Sequence, residues 1–171
     1  VFNVKRKNFA LNYAPIVAAS ILPTTSTATI CTTAMPFVDT NILLYSLDFE
    51  PAQPAKAAIA TQILTRPDLV LSVQVLQEFY VQATHARRPD ALSHDIATRL
   101  IQKWLRFPVH ENTLAVLQSA LVLKNRYQIS FWDAAILAAA KAAHCREVFT
   151  EDLNHGQDYD GVIVVNPFLV S

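Results

Sequence analysis

Glycine is nearly missing from this 171-residue chain, with Gly156 and Gly161 the only two. That excludes a Gly-rich phosphate loop and a dinucleotide fingerprint, because both need several glycines for the backbone to close on phosphate. Cysteine is as scarce: Cys31 and Cys145 give no disulfide framework, and a cytoplasmic setting fits. No run is apolar enough over a sufficient length to span a bilayer, so no membrane partner is expected. A basic excess is also lacking. Fourteen Lys and Arg balance fourteen Asp and Glu, which is not how a protein grips nucleic acid by bulk charge. His85, His94, His110, His144 and His155 show no zinc-ligand spacing, so surface or packing roles suit them. Of the five, His155 lies nearest the acidic residues considered below.

The single methionine, Met35, divides the chain. Residues 1–34 carry Lys5, Arg6 and Lys7, no acid, much Thr, Ala and Ser, and no clear period. They are read as a non-native or disordered leader, with residues 35–171 as one domain. The competing reading is a targeting segment, basic at Lys5–Lys7 and apolar from Phe9 to Leu22, though Asn12 and Pro15 interrupt that run. The 137 residues from Met35 onward hold 11 basic and 14 acidic residues, a net of −3. They suffice for a core.

From Met35 the pattern alternates. A strand over 36–39 is followed by helices over 41–47 and 54–64, then a short strand over 69–71. Ser72 can cap a helix to about His85, which Arg87-Arg88-Pro89 breaks. The next helix is placed over 91–105, with Ile96, Leu100 and Trp104 at helical spacing. After an extended piece at 107–109, helices begin near Asn112 or Thr113 and at Ser130. The runs Glu147–Thr150 and Val162–Val165 read as buried parallel strands. Strands alternating with helices predict an α/β fold, a three-layer α/β/α sandwich around a central parallel sheet.

Four carboxylates stand at the joints of this pattern. Asp39 ends the first apolar run just before a helix, at the edge where open α/β sheets gather ligands; Asp is equally an ordinary N-cap. Asp152 follows the strand ending at Thr150 and repeats that placement, although it also suits a turn ahead of Asn154 and Gly156. Asp133 lies three residues after Ser130, a capping-box spacing that sets its carboxylate at a helix mouth. Glu78 falls away from the apolar face made by Leu76, Phe79, Tyr80 and Ala83, which fits a solvated side chain as well as a site residue. Hard oxygen ligands of this kind suit Mg²⁺ or Mn²⁺. Grouped without a cation they repel, and at least one pKa rises. Phosphodiester hydrolysis by two divalent ions is the chemistry that uses such a set.

Pro36–Asn41, the helix of Glu78, the stretch Ser130–Ile136 and the stretch Thr150–Gln157 together resemble the PIN-domain ribonucleases, most of all the toxin half of VapBC-type toxin–antitoxin pairs. The resemblance runs from Met35 to the C-terminus and takes in the ending Gly161–Phe168. It implies a metal-dependent endoribonuclease whose four acidic positions fall on Asp39, Glu78, Asp133 and Asp152. Asp39, Asp133 and Asp152 would ligate Mg²⁺ or Mn²⁺, with Glu78 completing the pocket and orienting the attacking water. Thr40, Asn41 and Thr150 would orient the acids or the substrate phosphate. Glu151, adjoining Asp152, is the alternative for the last acid. An RNA substrate, a homodimer and a small antitoxin are implied as partners, the antitoxin lying in a groove near helices 42–47 and 54–64.

Two other readings remain. A haloacid-dehalogenase-like phosphotransferase also places an Asp after its first strand, but wants a second Asp where Asn41 stands. A catalytically silent binding module would keep the acids for docking alone. Trp132, beside Asp133, is read as core packing rather than as a stacking surface for a base. Arg87-Arg88 and Lys124 with Arg126 are read as solvated helix ends.

Overall fold

Five helices begin where a side-chain oxygen can take up a free N–H group. Asp39, Ser72, Ser93, Thr113 and Ser130 each accept from the backbone of the helix that follows, as N-caps do. The computed structural model describes residues 35–47, 54–88 and 90–169, so the expectation for residues 1–34 lies outside the described residues. Strand β1 (Phe37–Val38) precedes α1 (Thr40–Tyr45) and α2 (Pro54–Ile63). Strand β2 (Leu71–Ser72) enters α3 (Val73–Ala83) directly, and α4 (His94–Trp104) leads to β3 (Val109–His110). Then come α5 (Leu114–Tyr127), α6 (Phe131–Ala142), β4 (Glu147–Phe149), β5 (Asp158–Tyr159) and β6 (Val162–Val165).

The main sheet has the order β1-β4-β6-β5. β1, β4 and β6 run parallel, with Phe37 opposite Val148 and Val148 opposite Val164. β2 and β3 form a second parallel pair. Val38 N–H donates to the Val70 carbonyl at 2.9 Å, and Val70 N–H to the Pro36 carbonyl at 3.0 Å, joining that pair to β1. The carboxyl ends of the parallel strands therefore face one way, and Asp39 and Thr150 leave the sheet on the same edge.

The expected α/β class and central parallel sheet hold, with one addition. β5 pairs antiparallel with β6 at the edge of the sheet. The cause is a two-residue turn, Asp160-Gly161, with φ of 56° and 94°. Positive φ at both positions is what a tight hairpin requires.

The core is built from β1, β4 and β6 against the helices. Phe37, Val38, Val148, Val164, Ile42 and Leu137 are fully buried. Ala134 to Ala140 on α6 are all buried as well. The small side chains of the five alanines in this stretch let α6 pack closely on β4, β6 and α5. Removing a side chain such as Leu137 here would cost about 2–5 kcal/mol.

Three expectations are corrected. Helix α4 begins at His94 rather than 91, because Ser93 supplies the cap. Its inward face is Ala97 and Trp104, with Phe79 edge-on to Trp104 at 4.6 Å, while Ile96 is exposed. On β6 burial alternates, with Ile163 exposed between Val162 and Val164. Trp132 is 60% exposed, so it is not core packing.

Candidate active site

Asp39 is a buried carboxylate with every near donor supplied by the fold. As the cap of α1 it accepts from Thr40 N–H at 2.6 Å through Oδ1. Its Oδ2 accepts from the Thr150 hydroxyl at 2.6 Å and from Asn41 Nδ2 at 3.3 Å. Thr150 follows β4, the neighbour of β1 in the sheet, so the contact spans 111 positions of sequence. Asn41 Nδ2 also reaches Thr150 Oγ1 at 3.1 Å and Asp152 Oδ2 at 3.4 Å. One amide thus ties Asp39 and Asp152 together.

Glu78 is held by two partners. Its Oε2 accepts from the Thr40 hydroxyl and its Oε1 from Gln74 Nε2, both at 3.0 Å. Gln74 is buried, and its Nε2 also donates to the Trp132 carbonyl at 3.4 Å. That bond fastens α3 to the first turn of α6, where Asp133 N–H donates to Ser130 Oγ at 3.1 Å. Asp39, Glu78, Asp133 and Asp152 all line one cavity of about 520 Å³. Thr40 and Asn41 line it too, and Leu44, Val81, Ile136 and Trp132 give it apolar walls.

Glu151 does not share this wall. Its carboxylate accepts from Lys56 Nζ at 2.6 Å and from the Tyr45 hydroxyl. Of the two neighbours, Asp152 lines the cavity and Glu151 is turned to α1 and α2. His155 accepts from Asn166 N–H at 3.1 Å, a bond that braces a turn. Arg126 Nη1 lies 2.7 Å from both carboxylate oxygens of Asp160, and Arg88 pairs with Asp90 at 3.4 Å.

The charges in the cleft work against one another. Burial pushes the Asp39 carboxyl up to about 7, and the charges of Asp152 and Glu78 add to the rise. The hydrogen bonds from Thr150 and Thr40 pull the other way but do not cancel it. Asp152 is also raised, first by burial and then by Asp133 and Glu151, against the opposing effects of Asn41 and Lys56. Cys145 is buried and free, with its thiol pushed up to about 11 by burial. It is not a nucleophile at neutral pH.

The donor set suits a hard divalent cation. All the ligating candidates are oxygens, and Asn41 Oδ1 is a buried acceptor with no partner. A cation would supply the positive charge that two raised carboxyls lack. Among the described residues, no three His, Cys, Asp or Glu side chains close into a cage. A spread arrangement still fits Mg²⁺, which keeps several waters and takes only one or two carboxylates.

Gln74 was missed in the sequence. The signal for it was its position four residues before Glu78 on one helix, close enough for the two side chains to meet. Asn41 explains the departure from the dehalogenase pattern, since an amide there donates to both acids where a second Asp would repel them.

The PIN domain family model matches residues 37–157. No curated protein matches the chain. Among solved structures, a toxin–antitoxin complex from Klebsiella pneumoniae is similar, with a TM-score of 0.57 and 22% identity over 79% of this chain and 99% of that one. VapC20 of Mycobacterium tuberculosis, a sarcin–ricin loop cleaving toxin, gives 0.53 and 20% identity over 68% of this chain and 90% of its own. DNA-bound VapBC from Salmonella typhimurium gives 0.53 and 14% identity over 77% and 97%. At such identities the likeness is one of fold.

Proposed function

This chain belongs to the PIN domain family, and we propose that it is a metal-dependent endoribonuclease, the toxin of a toxin–antitoxin pair. The observation that carries the reading is the gathering of Asp39, Glu78, Asp133 and Asp152 in one cavity, with Asn41 and Thr150 bridging two of them. The similar structures are toxins or toxin–antitoxin complexes by their descriptions, which supports the toxin role and a small antitoxin as partner.

Asp39, Asp152 and Asp133 would hold Mg²⁺ or Mn²⁺, directly or through its bound waters, with Glu78 beside them. Such an ion supplies Lewis acidity at the phosphate and makes water a better nucleophile near neutral pH. The protein's own groups hold the acids in place. Thr150, Thr40 and Asn41 fix Asp39 so that both its oxygens are oriented, and they favour its charged form. Glu78 has each oxygen anchored by one donor, which leaves lone pairs to orient the attacking water and take its proton. Val81, Ile136 and Trp132 give the cavity an apolar side. A cytoplasmic site of action, a homodimer and an antitoxin that folds on binding complete the proposal. An antitoxin Arg or Lys in the cleft would offset the acids and keep the cation out.

Purified protein should cut single-stranded RNA in Mn²⁺ or Mg²⁺ and stop in chelator. Asp39→Asn keeps the size of the side chain but removes its charge, so cleavage should fall at least roughly 100-fold, with the circular dichroism unchanged. Expression of the chain should arrest growth, and the Asp39→Asn variant should not. Undiminished cleavage in chelator would exclude the metal-dependent reading. A harmless chain that still cleaves RNA in vitro would exclude the toxin role and leave the nuclease.

A further inference from the structure

Trp132 stands between two cavities. It lines the acidic cavity and also a second one of about 310 Å³, and Gln74 and Gln77 are shared with it. The second cavity runs along the start of α5, with the buried Val116 and, from α6, Ala135 as an apolar floor and Leu114 and Leu117 exposed at its edge. Gln77 and Asn112 lie in the same wall, with Asn112 Nδ2 donating to Gln77 Oε1 at 3.5 Å. That bond is long, and both side chains are exposed, so they can exchange it for a ligand. An indole at 60% exposure, with Phe131 edge-on at 5.5 Å, is an uncommon thing to leave in water without a partner.

We propose that this side cavity is a base subsite: an unpaired nucleobase of the RNA, next to the phosphate in the acidic cavity, stacks on Trp132 and is read by Gln77 and Asn112. The inference rests on the ribonuclease reading for the position of that phosphate. Three features select a base as the occupant. The cavity adjoins the acidic one, with Gln74, Gln77 and Trp132 in the walls of both, as successive nucleotides of one strand demand. Its floor is apolar while its rim carries two amides, each offering donor and acceptor, which matches a base edge. Its volume lies at the lower end of small-molecule sites, enough for a planar ring and too little for a folded domain. Only an unstacked base can enter, so the substrate is single-stranded or looped RNA. The net charge of zero leaves stacking, rather than bulk attraction, to hold the strand.

The test reads binding apart from cleavage. A single-stranded oligoribonucleotide of roughly 12 nucleotides is titrated into the protein in chelator while tryptophan fluorescence is followed. Trp104 is buried, so quenching reports Trp132. The wild type should be quenched, Trp132→Phe should lose the quench but keep its affinity by fluorescence anisotropy, and Trp132→Ala should bind about 10- to 100-fold more weakly. An abasic oligonucleotide of the same length should bind the wild type as weakly as the normal strand binds Trp132→Ala. Gln77→Ala should alter the preference between oligouridylate and oligoadenylate.

Equal affinity of Trp132→Ala and wild type, or of abasic and normal strands, would overturn the subsite. So would a loss of self-association in Trp132→Ala with RNA affinity unchanged, which would make this face a contact between copies. A protein that shows the quench yet never cleaves RNA in Mn²⁺ would keep the subsite and lose the ribonuclease reading.

Discussion

Asp39 concentrates the conflict on which the site depends. A carboxyl at about 7 in the fold ionises near 3.8 once the chain unfolds. As pH rises from about 4 to about 7, the folded state keeps a proton that the unfolded state has released. Stability must therefore fall across that window, by up to a few kcal/mol. Above about 7 both states are ionised and the loss is complete. Asp152 is raised as well and acts in the same direction. In chelator, the melting temperature of the wild type should drop between pH 5 and 8, and the drop should be much smaller in Asp39→Asn. Mg²⁺ should restore more stability at pH 8 than at pH 5, because only the ionised acids bind it. A wild-type melting temperature that rises over this window would show that Asp39 is already ionised at low pH.

The same residue shows what was legible in the sequence. Asp39, Asp133 and Asp152 were found because each sits at the start of a helix or the end of a strand, positions that local sequence marks. Glu78 was harder. Its surroundings are set by Thr40 and Gln74, and the first of these is 38 positions away. No period along α3 reports a partner on another element. Trp132 was misread for a related reason. An indole at the start of an Ala-rich helix looks like core, but α6 turns Ala134, Ala135 and Ile136 inward and leaves position 132 outside.

Among elements, the helices were the legible part and the strands the less legible one. Cap residues at 72, 113 and 130 set three starts to within a residue. The strands are two to four residues long, too short for a run of side chains to declare its partners. The β5–β6 hairpin was missed even though Asp-Gly between apolar residues is a strong hairpin signal. Its arms are brief, and Val162–Val165 reads equally well as a buried parallel strand. Asp160 is gripped by Arg126, by Tyr127 and, at 3.7 Å, by Lys141, so the turn is also tied to α5 and α6. Gly161 has φ of 94° and open space where a Cβ would stand. Gly161→Ala should therefore cost only backbone strain, about 1–2 kcal/mol. Thermal unfolding would show it as a drop of a few degrees, with RNA cleavage unchanged. No change in melting temperature would mean the turn relaxes to another shape.

For the whole molecule, charge governs how the proposed RNA substrate would be met. Basic and acidic residues are equal in number, and several cations are already engaged: Lys56 by Glu151, Arg66 by Asp68 and Arg126 by Asp160. The cavity proposed to receive the scissile phosphate is lined by four carboxylates. A strand therefore gains little from counterion release, whose contribution scales with the number of phosphates neutralised by Lys and Arg. Attraction has to come from divalent cations in the cleft and from contacts with bases. Cleavage should accordingly depend weakly on monovalent salt. Raising KCl from about 50 to 200 mM should lower kcat/KM by less than about tenfold, where a protein with 6–10 phosphate contacts loses about 10³–10⁵ in affinity. Omitting the divalent ion at constant ionic strength should abolish cleavage altogether. A steep monovalent dependence would instead place the RNA on a basic patch, of this chain or of a partner, whose Lys and Arg contact several phosphates.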